Sequence, residues 1–204
     1  MKLHWSSRSP FVRKVMVAAH EVGLAERIEK VRTVAAMDKP NAALMRDNPL
    51  SKIPTLVLDD GTVLYDSLVI CEYFDMLDGR HRLFPSEPDR RLLALRRHAL
   101  GNGLLDLLVL RRNERDRPGE RKSPEHLEAF ATKTESALVA LEREAEALAA
   151  TQLDIGLIAI GSALSYLDFR FLEEPWRPAH PRLARWHLSF AARPSVIATQ
   201  HVDG

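Results

Sequence analysis

A serine near the start of the chain stands where it can hold an anion. In residues 1–23, MKLHWSSRSPFVRKVMVAAHEVG, Met1, Leu3 and Trp5 alternate with Lys2 and His4, the period of a strand. From Val12 the spacing changes: Val12, Val15, Met16 and Ala19 fall at i, i+3, i+4 and i+7, one face of a helix. Ser9 suits the N-cap, Pro10 the first helical position and Gly23 the stop. Ser9 is therefore predicted at the positive end of a helix dipole, beside backbone N–H groups that lack partners. Such a place stabilises an anion, and a thiolate is one candidate. A plain helix cap is the competing reading of a Ser-Pro pair, and Ser6 and Ser7 are near enough to substitute if the loop is displaced.

Other chemistries find little support. Cys71 is the single cysteine, which removes an intramolecular disulfide, a C-x-x-C redox pair and a cysteine-based zinc site. It falls mid-helix and reads as a small core residue. The eight histidines are scattered without H-E-x-x-H, so no metal site is expected. Gly101-Asn102-Gly103 lies inside a helix pattern and not after a strand, and Ile160-Gly161-Ser162-Ala163 makes no G-x-S-x-G elbow. Lys plus Arg number 29 against 28 Asp plus Glu, so no strong field favours nucleic acid or an anionic membrane. The paired arginines (Arg90-Arg91, Arg96-Arg97, Arg111-Arg112) read as solvated surface. The longest apolar run, 155–167, is short of a membrane span of roughly 20 residues. With a strand beginning at Met1 there is no room for a signal peptide, and a cytoplasmic location is expected.

The elements that must position Ser9 form a small α/β region. Residues 28–34 suggest an outer strand, and 35–50 a polar, proline-broken stretch with a short helix around 41–46. A β-hairpin is signalled by 55–58, the turn Asp59-Asp60-Gly61, and 62–65. Residues 67–77 follow as a helix with Ile70, Phe74 and Leu77 on one face. The region ends near Asp78, and 79–89, with two prolines and a glycine, reads as a linker. Residues 90–204 are helical: 90–113 with a leucine face, a charged loop over 111–122, and a helix opened by Ser123-Pro124. Residues 155–171 are apolar nearly all round and predict a buried central helix with Asp154 as N-cap. Residues 181–191 form a last helix with Leu183, Trp186 and Phe190 inward.

These features in order resemble the cytosolic glutathione transferases along the whole chain. The resemblance rests on Ser9-Pro10-Phe11, then Asn48-Pro49-Leu50-Ser51-Lys52-Ile53-Pro54-Thr55-Leu56, then Asp66-Ser67. Leu83-Phe84-Pro85 is similar to the family's linker, the run from Ala163 to Arg170 to its central helix, and Arg193-Pro194-Ser195-Val196 with Thr199 to its ending. The resemblance implies a thioredoxin-like N-terminal domain (1–78), a linker (79–89) and an all-helical C-terminal domain (90–204). It also implies glutathione as co-substrate and a homodimer.

It further implies roles for particular residues. Ser9 takes the place of the family's catalytic serine or cysteine and would hold the glutathione thiolate. Lowering a thiol from about 8.5 by two units takes about 2.7 kcal/mol, within reach of one charge-assisted hydrogen bond and a dipole. A serine there cannot form a mixed disulfide, which favours attack on an electrophilic carbon over thiol–disulfide exchange. Ile53 would pair its backbone with the cysteinyl part across a cis-Pro54. Ser67 would receive the γ-glutamyl carboxylate, and Asp66, shorter than the family's usual glutamate, the γ-glutamyl ammonium. Lys52 and Lys39 could meet the glycyl carboxylate. Phe11, Asn102 and Asp106 would border a pocket for a small hydrophobic electrophile, between the 5–11 loop and the first helix of the second domain. A non-catalytic binding or regulatory relative, or a glutathione-dependent lyase or dehalogenase, would look the same at this level.

Overall fold

The computed structural model describes residues 1–203, and the chain divides into two compact units. The first spans Met1–Arg91 together with the segment from Pro194, and the second spans Leu92–Arg193.

The first unit is built on a four-stranded sheet. The strands β1 (Lys2–Trp5), β2 (Glu29–Arg32), β3 (Thr55–Val57) and β4 (Val63–Leu64) lie in the order β2-β1-β3-β4. β1 pairs parallel with β2, Lys2 opposite Glu29 and Trp5 opposite Arg32. A parallel neighbour needs a crossover, supplied by α1 (Pro10–Glu21). β1 pairs antiparallel with β3, His4 opposite Thr55, and β3 with β4 through the Asp59-Asp60-Gly61 turn. Gly61 adopts φ 86°, a value that favours glycine in such a turn. α2 (Ser67–Asp78) packs against α1, and Leu3, Val12, Val15, Met16, Leu56, Ile70, Cys71 and Phe74 make the core.

The linker is more tightly held than its composition suggests. Asp75, buried near the end of α2, accepts hydrogen bonds from the backbone N–H of Leu83 at 2.8 Å and of Phe84 at 3.2 Å. Both apolar side chains are thereby buried beneath α2's exit. The segment from Pro194, expected with the helical region, belongs to the first unit. Its short helix α7 (Pro194–Ile197) lies on α1, where Arg13 Nη2 donates to the Val196 carbonyl at 3.3 Å.

The second unit holds most of α3 (Pro88–Arg115), then α4 (Pro124–Ala150), α5 (Ile155–Arg170) and α6 (Pro181–Ala191). α5 is its centre: every residue from Ile155 to Leu167 is buried. Asp154 caps it, Oδ1 accepting from Leu157 N–H at 2.9 Å. Neighbouring helices approach α5 closely where a glycine leaves room. A Cβ on Gly101 of α3 would lie 2.5 Å from the backbone nitrogen of Ile160, and one on Gly161 2.3 Å from the Phe190 ring of α6.

Candidate active site

The topology gathers the predicted glutathione-domain residues at one end of the sheet. β1 ends at Trp5 and leads into the Ser6–Ser9 loop. β3, antiparallel to it, begins at Thr55, so Ile53 and Pro54 arrive at the same end. β4, antiparallel to β3, leaves there toward Asp66 and Ser67. β2, parallel to β1, also exits there, toward the loop carrying Lys39.

Two helices start at this end, and each is capped by a predicted site residue. Ser9 has extended backbone, and its Oγ accepts from Val12 N–H at 3.3 Å. Accepting through a lone pair leaves the hydroxyl proton able to point elsewhere. Asp66 caps α2, Oδ1 accepting from Leu68 N–H at 3.0 Å. Ser67 follows as the first helical residue and is 2% exposed. α1 and α2 thus direct the positive ends of their dipoles toward the same edge, a pair of anion-attracting places.

Between them runs the 48–55 loop. The Ile53–Pro54 peptide is cis. Asn48, 2% exposed, braces this loop from inside: Nδ2 donates to the Lys52 carbonyl at 3.1 Å and to Thr55 Oγ1 at 2.9 Å, and Oδ1 accepts from Leu50 N–H at 3.0 Å. Thr55 Oγ1 donates in turn to the Lys52 carbonyl at 2.8 Å. Lys52 is therefore fixed through its backbone while its side chain is exposed. Lys39 is also exposed, and Phe11 is half-buried with Lys14 Nζ 5.9 Å from its ring centre. A second brace joins β1 to the neighbouring loops: His4 bonds Thr33 Oγ1 at 2.9 Å and Asp47 Oδ2 at 2.8 Å. Residue-by-residue reading missed Asn48 and His4 as supports of the site. The Asn-Pro dipeptide, a turn initiator, was the available signal for the first.

A family model described as "Glutathione S-transferase, N-terminal domain" matches residues 8–77. A glutathione transferase family member from Pseudomonas fluorescens Pf-5, solved with bound glutathione, is 40% identical, with a TM-score of 0.95 and 99% of each chain covered. The chain belongs to the glutathione transferase family. A glutathione S-transferase from Methylobacillus flagellatus KT, also solved with glutathione, is 32% identical at a TM-score of 0.87, covering 98% of this chain and 99% of that one. The Escherichia coli K12 protein called "Uncharacterized GST-like protein YibF" is 29% identical over 203 residues, 98% of each chain.

As a glutathione transferase fold, a thioredoxin-like unit with a helical one, the chain carries its remaining candidates on α3. Asn102 Nδ2 donates to Asp106 Oδ2 at 3.3 Å, one helical turn along the same face. Asn102 is half-buried and Asp106 exposed. Cys71 is fully buried, and burial pushes its thiol up to about 12, which leaves it no thiolate for chemistry at neutral pH.

Two other features of the second unit involve none of the predicted residues. A groove of about 340 Å³ runs along α4 and α6 and contains none of the predicted residues. Leu148, Leu157, Trp186 and Phe190 on its floor are already buried, and Arg182 on its rim is paired with Glu142 at 3.0 Å. Ser165, His187 and Asp168 form a trio reminiscent of a hydrolase, with Ser165 Oγ 3.0 Å from His187 Nε2. But His187 Nδ1 is 3.1 Å from Arg177 Nη2, which can only donate, an arrangement that favours the tautomer with its hydrogen on Nε2, donated to Ser165. Asp168 is 3.8 Å from Nδ1 and receives both guanidinium nitrogens of Arg177 and the indole N–H of Trp176. In that tautomer the histidine turns an N–H and not a lone pair toward the serine, the reverse of a serine–histidine base pair.

Proposed function

We propose that the protein is a glutathione transferase that uses Ser9 to hold the glutathione thiolate for attack on a hydrophobic electrophile. The observation that carries this reading is the pair of capped helix N-termini at one end of the sheet. Glutathione has a thiolate and a γ-glutamyl carboxylate to match them. The glutathione bound in the relatives from P. fluorescens and M. flagellatus supports the ligand. Ser9 Oγ–H would donate to sulfur, favouring the charged form and releasing the thiol proton to solvent. The thiolate then forms a C–S bond while the leaving group departs with its electron pair. Ser67 would take the γ-glutamyl carboxylate through its N–H and hydroxyl, and Asp66 the ammonium. Ile53 would pair with the cysteinyl backbone, and Lys52, with Lys39, would answer the glycyl carboxylate.

We also propose a cytoplasmic homodimer. On α2, Val69, Met76 and Leu77 are between 44% and 67% exposed, and Tyr65 and Leu50 are further exposed apolar side chains of the same unit. No helix among the described residues is long and apolar enough to cross a membrane. A relative's structure holding S-(propanoic acid)-glutathione, 38% identical, supports room for a thioether on the sulfur.

Calorimetry with glutathione, followed by a panel of aryl halides, epoxides and activated alkenes, tests the reading. Binding with turnover of at least one class supports a transferase. Binding without turnover favours a non-catalytic relative, and no binding at millimolar glutathione refutes the assignment. Release of halide or cleavage of a thioether in place of conjugate would identify the lyase or dehalogenase variant.

A further inference from the structure

The loop that carries Ser9 has little of its own to hold it. Within it, Ser9 N–H reaches the Ser6 carbonyl at 3.2 Å and Arg8 N–H reaches Ser6 Oγ at 3.3 Å, both near the long limit for such bonds. The firmer contacts come from far along the chain. Ser7 Oγ donates to the Val202 carbonyl at 2.8 Å, and His201 Nδ1–H donates to the Ser7 carbonyl at 3.0 Å. Arg8 lies 3.6 Å from Asp203, but both side chains are more than half exposed and the pair adds little.

The strap that makes these contacts is anchored. Ser195 Oγ donates to Glu21 Oε1 at 2.5 Å, at the far end of α1, and Val196 is 1% exposed beneath the Arg13 bond. Thr199 Oγ1 returns to the Ser195 carbonyl at 2.8 Å and closes the turn that aims the strap at the loop. Residues 195–202 therefore run along α1 from its last residue to the loop before its first. They fix Ser7 through both its hydroxyl and its carbonyl, two residues before Ser9.

We propose that His201 and Ser7 are positioning residues for Ser9: the strap holds the loop so that the Ser9 hydroxyl meets the glutathione sulfur. This rests on the reading of Ser9 as thiolate donor. A hydrogen bond to sulfur acts on the thiol only while donor and acceptor are held within about 0.5 Å of their best placement. A loop with weak internal bonds opens readily unless something outside it resists. Neither residue is assigned a contact with glutathione, so their loss should spare affinity and weaken thiolate stabilisation.

The test compares wild type with Ser7→Ala, His201→Ala, the double variant and His201→Asn, whose amide can donate from the place of Nδ1. Calorimetry gives the glutathione Kd, ultraviolet thiolate absorbance against pH gives the bound thiol's pKa, and hydrogen exchange reports on residues 6–9. The double variant is expected to keep Kd within about twofold, raise the bound thiol pKa by about one unit and lower kcat about tenfold. Exchange at 6–9 should quicken, and His201→Asn should recover most of the single-variant loss. An unchanged thiol pKa in the double variant overturns the proposal, whether or not Kd falls. Ser9→Gly distinguishes failure of the strap from failure of the thiolate role. If it raises the bound thiol pKa and the double variant does not, the strap alone is refuted. If it too leaves the pKa unchanged, the thiolate reading falls and the positioning role falls with it.

Discussion

Ser9 does two jobs in this account, and glycine and alanine at that position pull them apart. As a helix cap its Oγ accepts from Val12 N–H at 3.3 Å, a long bond. Loss of so stretched a cap in Ser9→Ala should cost about 0.5 kcal/mol, the low end of the usual range. For a chain of 204 residues that lowers Tm by roughly 1–2 °C. Ser9→Gly should cost only a few tenths of a kcal/mol, since glycine is tolerated at N-caps. The second job, donation to a thiolate, is a bond to a charged group and contributes about 1.5–3 kcal/mol. Both variants lose it equally, so kcat/KM should fall about 10- to 150-fold in each. The assay is steady-state conjugation at saturating electrophile, with thermal unfolding run alongside. A Ser9→Gly protein with wild-type Tm and kcat/KM within twofold of wild type would refute the thiolate role outright. A rate loss that tracked stability, larger in alanine than in glycine, would show the residue to be a cap alone.

Asn48→Ala removes three hydrogen bonds, one buried and two part-buried, from the loop around Pro54. It should destabilise the protein by about 2–3 kcal/mol in urea unfolding and weaken glutathione binding in calorimetry. If Asp66 is merely a shortened glutamate, Asp66→Glu should tighten glutathione binding in the same calorimetric assay, and weaker binding would show that the aspartate has its own geometry. Cys71, with its thiol pushed up to about 12 by burial, should resist iodoacetamide in the folded protein and react once urea unfolds it, as mass spectrometry would show. Hydrogen bonds from Arg80 and Arg82 hold the Asp78 carboxyl down from 3.8 to about 2. A depressed acid stabilises the fold above its unfolded value and loses that contribution as pH falls through the folded one. The Tm gap between wild type and Asp78→Asn should therefore be full at pH 7, shrink below about pH 3.8 and vanish below about 2.

Local patterning made much of this molecule legible. Pro181 at the first helical position and inward Leu183, Trp186 and Phe190 mark α6 at both ends, and Asp154 marks the start of α5, because caps and periodicity are read from neighbouring residues. The same holds for Ser9 as a helix cap. Supports made across the chain were not legible. Nothing near Asn48 announces that its amide will reach Lys52 and Thr55, and nothing near Ser195 points to Glu21. α3 begins at Pro88, before the leucine pattern, because Glu87 caps it from outside, accepting from Arg90 N–H at 3.1 Å. It also runs to Arg115, past the start of the charged loop expected there. Arg111 pairs with Glu174, and Arg111 and Arg115 both lie within 5 Å of the Phe171 ring centre. Charge alone could not distinguish solvated arginines from these seated ones.

The trio around His187 shows how one neighbour can decide whether a familiar set of side chains is machinery or mortar. Arg177, able only to donate toward Nδ1, favours the hydrogen on Nε2, which makes the ring a donor toward Ser165 on α5. Exchanging that guanidinium for a neutral side chain would free the imidazole to swap its hydrogen toward Asp168. Ser165 would then face a base, yet at 8% exposure it would still be closed to any incoming substrate. Templates that match only residue types would count both versions as hydrolases; the chemistry separates them by where a single hydrogen rests.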